Sequence, residues 1–270
     1  MVENVAVIGA GVIGGAIAKT LLKSGYSGKI TTTRRKKEKM EELQRLGATT
    51  TDDNQKAAED SDIIFICVKP KSINLVLREI HKELEGKLVI STAATVPLSC
   101  YKKIVPKARF VRTMPNVAIL VQESFTAYCC DQDITSADKD RVETILGMMG
   151  ICEEVDEKYM DAVTALSGSG PGYLSIITEA LMYAGLKVGL PRDLALYSSA
   201  QAVLGTGKLV LKLREHPSKI KDMVTTPGGT TIEAIYELEG SQIRRALMRA
   251  VVEATNKSSI VREEICKNSA

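Results

Sequence analysis

The chain has 270 residues, 44% of them hydrophobic and 26% charged, with a formal net charge of +3. That length exceeds the usual single domain and allows a sizeable core, so two domains are expected. So small a positive surplus excludes nucleic-acid binding as the main activity, and no apolar run reaches the roughly 20 residues of a membrane span.

The opening residues MVENVAVIGAG carry no basic segment followed by an apolar core and a cleavage site, so no secretory signal is read there. Asn4 to Ile8 reads as a strand, and it runs straight into GAGVIGGAIAKTLLKSG, where Gly9, Gly11 and Gly14 form G-x-G-x-x-G. Ile13, Ile17 and Leu21 then recur at helical spacing. Strand, glycine turn and helix together are the context in which this motif binds a dinucleotide. Gly9 permits the tight turn, Gly11 admits the pyrophosphate, and Gly14 lets helix and strand pack closely. Val12 and Ile13 belong to the first helical turn, whose free N–H groups face the phosphates.

A second strand is expected over Lys29–Thr33. An acidic residue at its end would mark NAD, because a carboxylate there takes the ribose 2′-hydroxyl. The sequence instead reads TTTRRKKEK, with Arg34, Arg35, Lys36 and Lys37 running into an expected helix of about Lys36–Leu46. Cations at a helix start oppose its dipole unless an external anion joins them. The 2′-phosphate of NADPH fits, with Arg34 and Arg35 as the clamps and NADH as the weaker alternative.

Strands follow at Ile63–Val68, Leu88–Ser91, about Phe110–Arg112, about Thr126–Cys129 and Cys152–Val155, with helices at Ser72–Leu84 and Ser136–Met149. This alternation predicts an α/β fold, a doubly wound parallel sheet of Rossmann type over residues 1–158, with room for one or two late strands of opposite direction. The turns after two strands, Val68-Lys69-Pro70 and STAAT with Ala94, should face the cofactor. The six cysteines lack C-x-x-C spacing and there are two histidines, so neither a metal site nor a disulfide framework is expected. Reduced thiols in a cytoplasm are the default, with Cys67 a small core residue.

From about Tyr159 the pattern is helical, predicting an all-α second domain over residues 159–270. Helices at Pro171–Val188 and Arg192–Leu213, broken at Gly189-Leu190-Pro191, carry apolar or small residues on most sides, and a last helix runs from Ser241 to about Cys266. Helices apolar all round require burial all round, which so short a segment supplies poorly alone. A homodimer through these helices is expected, with room for a higher oligomer of dimers.

Between them lies TTPGGTTIEAIYELE, Thr225–Glu239. Thr230-x-x-Glu233 matches a capping box, which accounts for those two residues and not for the glycine pair. Bare backbone N–H groups with hydroxyls beside them at a helix start make a seat for a small carboxylate. A nicotinamide enzyme poor in histidine suits an imine better than a ketone, because an imine nitrogen is basic enough to need no strong proton donor.

At this point the chain resembles the pyrroline-5-carboxylate reductases along essentially its whole length, in VIGAGVIGGAIA, FICVKP, STAAT, RTMPN, VTALSGSGPGY, GLPRDLA and DMVTTPGGTTIEAIYELE. The resemblance implies reduction of the C=N bond of 1-pyrroline-5-carboxylate to L-proline, the last step of proline biosynthesis. It implies that the Thr231 hydroxyl stands near the imine nitrogen and that Thr226, Gly228, Gly229 and Thr230 seat the carboxylate. Asn54, Lys69, Ala94 and Asn116 would line the cofactor with the glycine turn and Arg34. The chain departs from the family pattern at Gly172, where alanine is usual, at Thr95, where glycine is usual, and in RTMPNVA.

Two other readings share the first domain. A β-hydroxyacid dehydrogenase or other imine reductase could use the same architecture, but the dehydrogenases place a lysine in the helix after their glycine block, and here none follows Gly168 until Lys187. A non-catalytic NADPH sensor would not need the carboxylate seat.

Overall fold

The computed structural model describes residues 3–36 and 40–268. Short apolar and β-branched runs form eight strands: β1 (Val5–Ile8), β2 (Ile30–Thr33), β3 (Thr49–Thr51), β4 (Ile63–Ile66), β5 (Leu88–Ser91), β6 (Arg109–Met114), β7 (Ser124–Cys130) and β8 (Gly150–Glu154). They make one sheet in the order β3-β2-β1-β4-β5-β6-β7-β8. β7 is antiparallel to β6 and every other pairing is parallel. The first six strands thus have the Rossmann order, and the two late strands run the other way, as expected.

Helices cover both faces of this sheet: α1 (Val12–Lys23), α2 (Glu41–Arg45), α3 (Asn54–Glu59), α4 (Ile73–Glu79), α5 (Leu98–Ile104) and α6 (Ser136–Gly147). Successive strand residues point to opposite faces, so β1 serves two cores. Val5 and Val7 pack with Ala16, Ile17 and Leu21 of α1 and Val142 and Ile145 of α6. Ala6 and Ile8 pack with Ala57 and Ala58 of α3, Leu77 of α4 and Tyr101 of α5. Burial on both faces explains why the central strands read as unbroken apolar runs.

Three elements of this sheet and its covering helices lie outside the sequence expectation: β3, α3 and α5. β3 is three threonines paired in register with Thr31–Thr33 at the sheet edge, and α3 and α5 have only six and seven residues. All three are too short to show a period. Of the helix expected over Lys36–Leu46, the described α-helical part is Glu41–Arg45, with Glu41 and Glu42 in its first turn, while Lys37 lies outside the described residues.

By contact the chain divides into two compact units, Met1–Ser169 with Glu253–Ala270, and Gly170–Val252. This division differs from a single cut after residue 158 in two places. First, α7 (Met160–Val163) and a π-helical turn, Thr164–Gly168, belong with the sheet. Second, the end of the long last helix also returns to it. Asp161 accepts hydrogen bonds from Ser258 Oγ at 2.8 Å, Ser259 Oγ at 3.1 Å and Arg262 Nε at 2.7 Å.

The second unit holds α8 (Gly170–Lys187), α9 (Arg192–Leu213), α10 (Pro217–Met223), α11 (Thr230–Gly240) and the start of α12 (Ile243–Asn268). α8 and α9 approach closely: a β-carbon on Gly185 would lie 2.9 Å from that of Ala195. Yet within residues 170–252 only Ala195 and Ser199 are buried, and Val188, Tyr197, Met223, Tyr236 and Met248 are each more than two-thirds exposed. The small-residue helices have no core of their own within one chain. No helix among the described residues is long and apolar enough to cross a membrane.

Asp161 gives a test of the α12 clamp. Burial pushes its carboxyl upward, but donation from Arg262, Ser258 and Ser259 outweighs this and holds it below the usual carboxylate range. A depressed native value stabilises the fold above the unfolded pKa of roughly 3.9 and loses that contribution as pH falls through the native value. Asp161→Asn should cost about 1–2 kcal/mol at neutral pH, since it weakens charge-assisted bonds to a largely buried acceptor. The gap from wild type should narrow on acidification, measured by denaturant unfolding at neutral pH and at progressively lower pH.

Candidate active site

The glycine turn joins β1 to α1 at the point where the strand order reverses, with β2 on one side of β1 and β4 on the other. Gly9 has φ +94°, a left-handed conformation, and a β-carbon there would meet the Val68 side chain at 2.8 Å. On Gly14 a β-carbon would lie 2.4 Å from the Gly9 carbonyl oxygen and 2.9 Å from the β-carbon of Cys67. Gly11 differs: a β-carbon there meets nothing within 4 Å. The first two glycines are therefore demanded by the fold itself, whereas the space at Gly11 is open to a ligand.

Beside this turn is a cavity of about 960 Å³ lined by residues from the ends of β1, β2 and β4 and from α4. It brings together Gly9, Gly11, Arg34, Arg35, Asn54, Val68 and Lys69, all anticipated from sequence. It also contains Thr33, Lys36, Asp52, Cys67, Leu75 and Glu79, which were not. Arg34 donates from a guanidinium nitrogen to the Ala10 carbonyl at 3.0 Å, so the cation is braced against the glycine turn. Arg35 is exposed. Burial pushes the Cys67 thiol up to about 12, so it stays protonated and unreactive at neutral pH.

The other expected cofactor residues have different settings. Val12 is 64% exposed at the start of α1, whose N-cap, Gly11, has no side-chain hydrogen bond. Ile13 packs against the core, and Pro70 opens the 3₁₀ turn Pro70–Ser72. Neither Ala94 nor Asn116 lines the cavity. The Ala94 carbonyl accepts the Thr95 hydroxyl at 2.6 Å. Asn116 caps the 3₁₀ segment Val117–Val121 through its oxygen and donates from its NH₂ group to the Ser167 carbonyl at 3.1 Å, tying the RTMPN block to the SGSG block.

Thr95 has φ +66°, a conformation unfavourable for a β-branched residue. Glycine, the usual family residue at this position, would adopt it freely.

In the second unit, Thr226 to Gly229 close a turn in which the Gly229 N–H donates to the Thr226 carbonyl at 3.0 Å. Pro227 occupies the second position and Gly228, with φ +66°, the third, the signature of a type II turn. A β-carbon on Gly229 would lie 2.3 Å from Thr226 Oγ1, so the pair packs hydroxyl against bare backbone. Gly229, with ψ 165°, is the N-cap of α11. The expected capping box does not form: Thr230 is already helical, and no side chain caps the helix. Physically, an N-cap hydroxyl must sit on extended backbone to reach the N–H three residues on, and here the extended residue is glycine. The first-turn N–H groups of α11 therefore have no side-chain acceptor at the N-cap, and the hydroxyls of Thr230 and Thr231 are not spent as caps. Thr225 points elsewhere, donating to the Lys221 carbonyl at 2.7 Å.

A family model described as pyrroline-5-carboxylate reductase dimerisation matches residues 157–260, and one described as NADP oxidoreductase, coenzyme F420-dependent, matches residues 4–95. The pyrroline-5-carboxylate reductase of Methanosarcina acetivorans is 41% identical over 201 residues, 74% of either chain. The structure of a pyrroline-5-carboxylate reductase from Coxiella burnetii superposes with a TM-score of 0.89 at 32% identity, covering 96% of this chain and 98% of that one. Plasmodium falciparum pyrroline carboxylate reductase with NADP bound gives 0.86 at 31% identity over 95% and 97%.

The glycines separate two failures. Gly11→Ala should fold with unchanged melting temperature but lose dinucleotide affinity, because the added methyl occupies open cavity space. Gly14→Ala should lower the melting temperature, because the methyl meets backbone. Thermal melts with and without NADPH distinguish them.

Proposed function

The chain belongs to the pyrroline-5-carboxylate reductase family, and from that premise we propose how its residues reduce the C=N bond of 1-pyrroline-5-carboxylate to L-proline. The observation that carries the reading is the uncapped start of α11 behind the Pro227-Gly228 turn, which leaves backbone N–H groups and hydroxyls for a small carboxylate. Thr226, Gly228, Gly229 and Thr230 seat that carboxylate, fixing the ring by one end. The Thr231 hydroxyl then hydrogen-bonds the imine nitrogen, donating to the neutral form and accepting from the protonated one. The protonated form has the more electrophilic carbon.

The residues of the cavity fit a nicotinamide dinucleotide: open space at Gly11, an N-terminus of α1 without side-chain cap, and three cations, Arg34, Arg35 and Lys36, along its rim. When bound, NADPH supplies the hydride. Gly9 and Gly11 shape the turn that admits the pyrophosphate, their own N–H groups being bonded within it, the first helical turn at Val12, Ile13 and Gly14 offers its N–H groups to the phosphates, and Arg34 and Arg35 pair with the 2′-phosphate. Asn54, Val68 and Lys69 complete the proposed contacts within the cavity, and Pro70, Ala94 and Asn116 are proposed to meet the cofactor beyond it. NADPH is the preferred donor in this reading and NADH the weaker one.

A homodimer buries the exposed faces of α8, α9 and α11, in keeping with the dimerisation model that matches this region, and dimers can associate further. The reading places the enzyme in a cytoplasm, where cysteines stay reduced, and no disulfide links the six cysteines.

Replacing both Arg34 and Arg35 with alanine should raise KM for NADPH far more than for NADH, as measured by initial rates with each donor. Equal losses would remove the 2′-phosphate assignment. At Thr231 the outcomes divide on kinetics. If its hydroxyl serves the imine, Thr231→Ala should lower kcat/KM by roughly ten- to a hundredfold, the worth of a hydrogen bond to a charged group, and Thr231→Ser should recover most of it. Wild-type kinetics in the alanine variant would end the catalytic role of Thr231.

A further inference from the structure

Asn54 sits in the cofactor cavity between two partners that do not treat its amide alike. The Thr33 hydroxyl donates to Asn54 Oδ1 at 2.6 Å, while the Asn54 NH₂ group donates to both carboxylate oxygens of Glu79, at 3.2 and 3.1 Å. At the other end the Gly9 N–H donates to Thr33 Oγ1 at 3.3 Å. One chain of hydrogen bonds therefore runs from the glycine turn, through Thr33 and Asn54, to Glu79. Gln55 donates to the Glu79 carbonyl at 3.0 Å and fixes the end of α4 beside α3.

The two ends of a carboxamide are almost identical in shape and opposite in hydrogen bonding, so an asparagine presents a defined face to a ligand only if a neighbour distinguishes them. Thr33 cannot do this, because a hydroxyl donates or accepts with equal ease. A carboxylate only accepts. Glu79 is thus the member of the chain that sets its direction: it draws the NH₂ group to its own side and turns the carbonyl oxygen to Thr33. With one amide hydrogen shared between the two carboxylate oxygens, the other is left to donate to an oxygen of the cofactor.

We propose that Glu79 is a positioning residue for the nicotinamide cofactor, acting through Asn54, whose amide it holds with a donor toward the ligand. The inference rests on the cofactor reading above and deepens it, since Glu79 carries no role in that reading. It gives a purpose to an anion placed among the cations Arg34, Arg35 and Lys36, where charge alone would disfavour it for a phosphate-binding cavity.

The test is NADPH binding to the full-length protein, followed by cofactor fluorescence, together with steady-state kinetics and melting of the ligand-free protein. Glu79→Ala should raise both Kd and KM for NADPH by roughly three- to tenfold, the worth of one ordinary hydrogen bond, with kcat and the ligand-free melting temperature unchanged. Glu79→Gln offers a donor as well as an acceptor, no longer distinguishes the two ends of the Asn54 amide, and should recover only a minor part of the affinity. In an Asn54→Ala background, Glu79→Ala should have no further effect, because the path through which it acts is gone. An undiminished effect in that background, no effect in the wild-type background, or full recovery of binding by the glutamine would each overturn the proposal while leaving the cofactor reading in place. If the wild-type protein bound no NADPH, both would fall.

Discussion

A β-carbon on Gly14 would stand 2.4 Å from the Gly9 carbonyl oxygen, and the close approach of α1 to the sheet that its absence permits is the constraint on which the first unit depends. Because α1 can lie against β1 and β2, with Gly14 beside Cys67 at the end of β4, its N-terminus comes to the reversal in strand order. There the ends of β2 and β4 stand on either side of it, and there the cavity opens. Arg34 is braced on the Ala10 carbonyl of the same turn, and Gly9 begins the hydrogen-bond chain that reaches Asn54. Packing and chemistry thus share a few backbone atoms. The N–H groups of Gly9, Ala10 and Gly11 are bonded within the fold, and it is the first turn of α1 behind them that offers N–H groups to an anionic ligand.

The second unit is governed by the opposite condition. Its helices carry many apolar side chains on exposed surface, and two buried residues in 83 do not make a core, as the range 170–252 shows. Hydrophobic area of that extent needs a cover to be stable in water. The family model that matches residues 157–260 is described as a dimerisation region, which suggests association between copies of the chain as that cover. The type II turn and the uncapped start of α11 are local features, held by the Thr226–Gly229 hydrogen bond.

Much of this was legible in the sequence where local chemistry and global fold demand the same residue. Gly9 and Gly14 are readable because nothing else fits, and the central strands because burial on both faces leaves no alternative to apolar residues. The cations Arg34 and Arg35 stood out as an exception to the acidic residue expected there. What was missed had weak or distant signals. β3 is a threonine tripeptide whose strand character comes from pairing with β2, and Glu79 reaches Asn54 across 25 residues of chain. The capping box was misread because its pattern is met in sequence, while the extended residue before the helix is Gly229, not Thr230. Thr95 was visible only as a departure from the family pattern, and its φ of +66° supplies the reason glycine is usual there.

The central claim is that this chain transfers a hydride from a nicotinamide to the carbon of a cyclic imine whose carboxylate it holds. Incubating the protein with 1-pyrroline-5-carboxylate and NADPH deuterated at both C4 positions, with mass spectrometry of the product, tests it most directly. The account predicts L-proline carrying one deuterium on the ring carbon formerly double-bonded to nitrogen, formed in step with oxidation of the cofactor. Unlabelled proline, or an unreacted imine in the presence of bound NADPH, would contradict it.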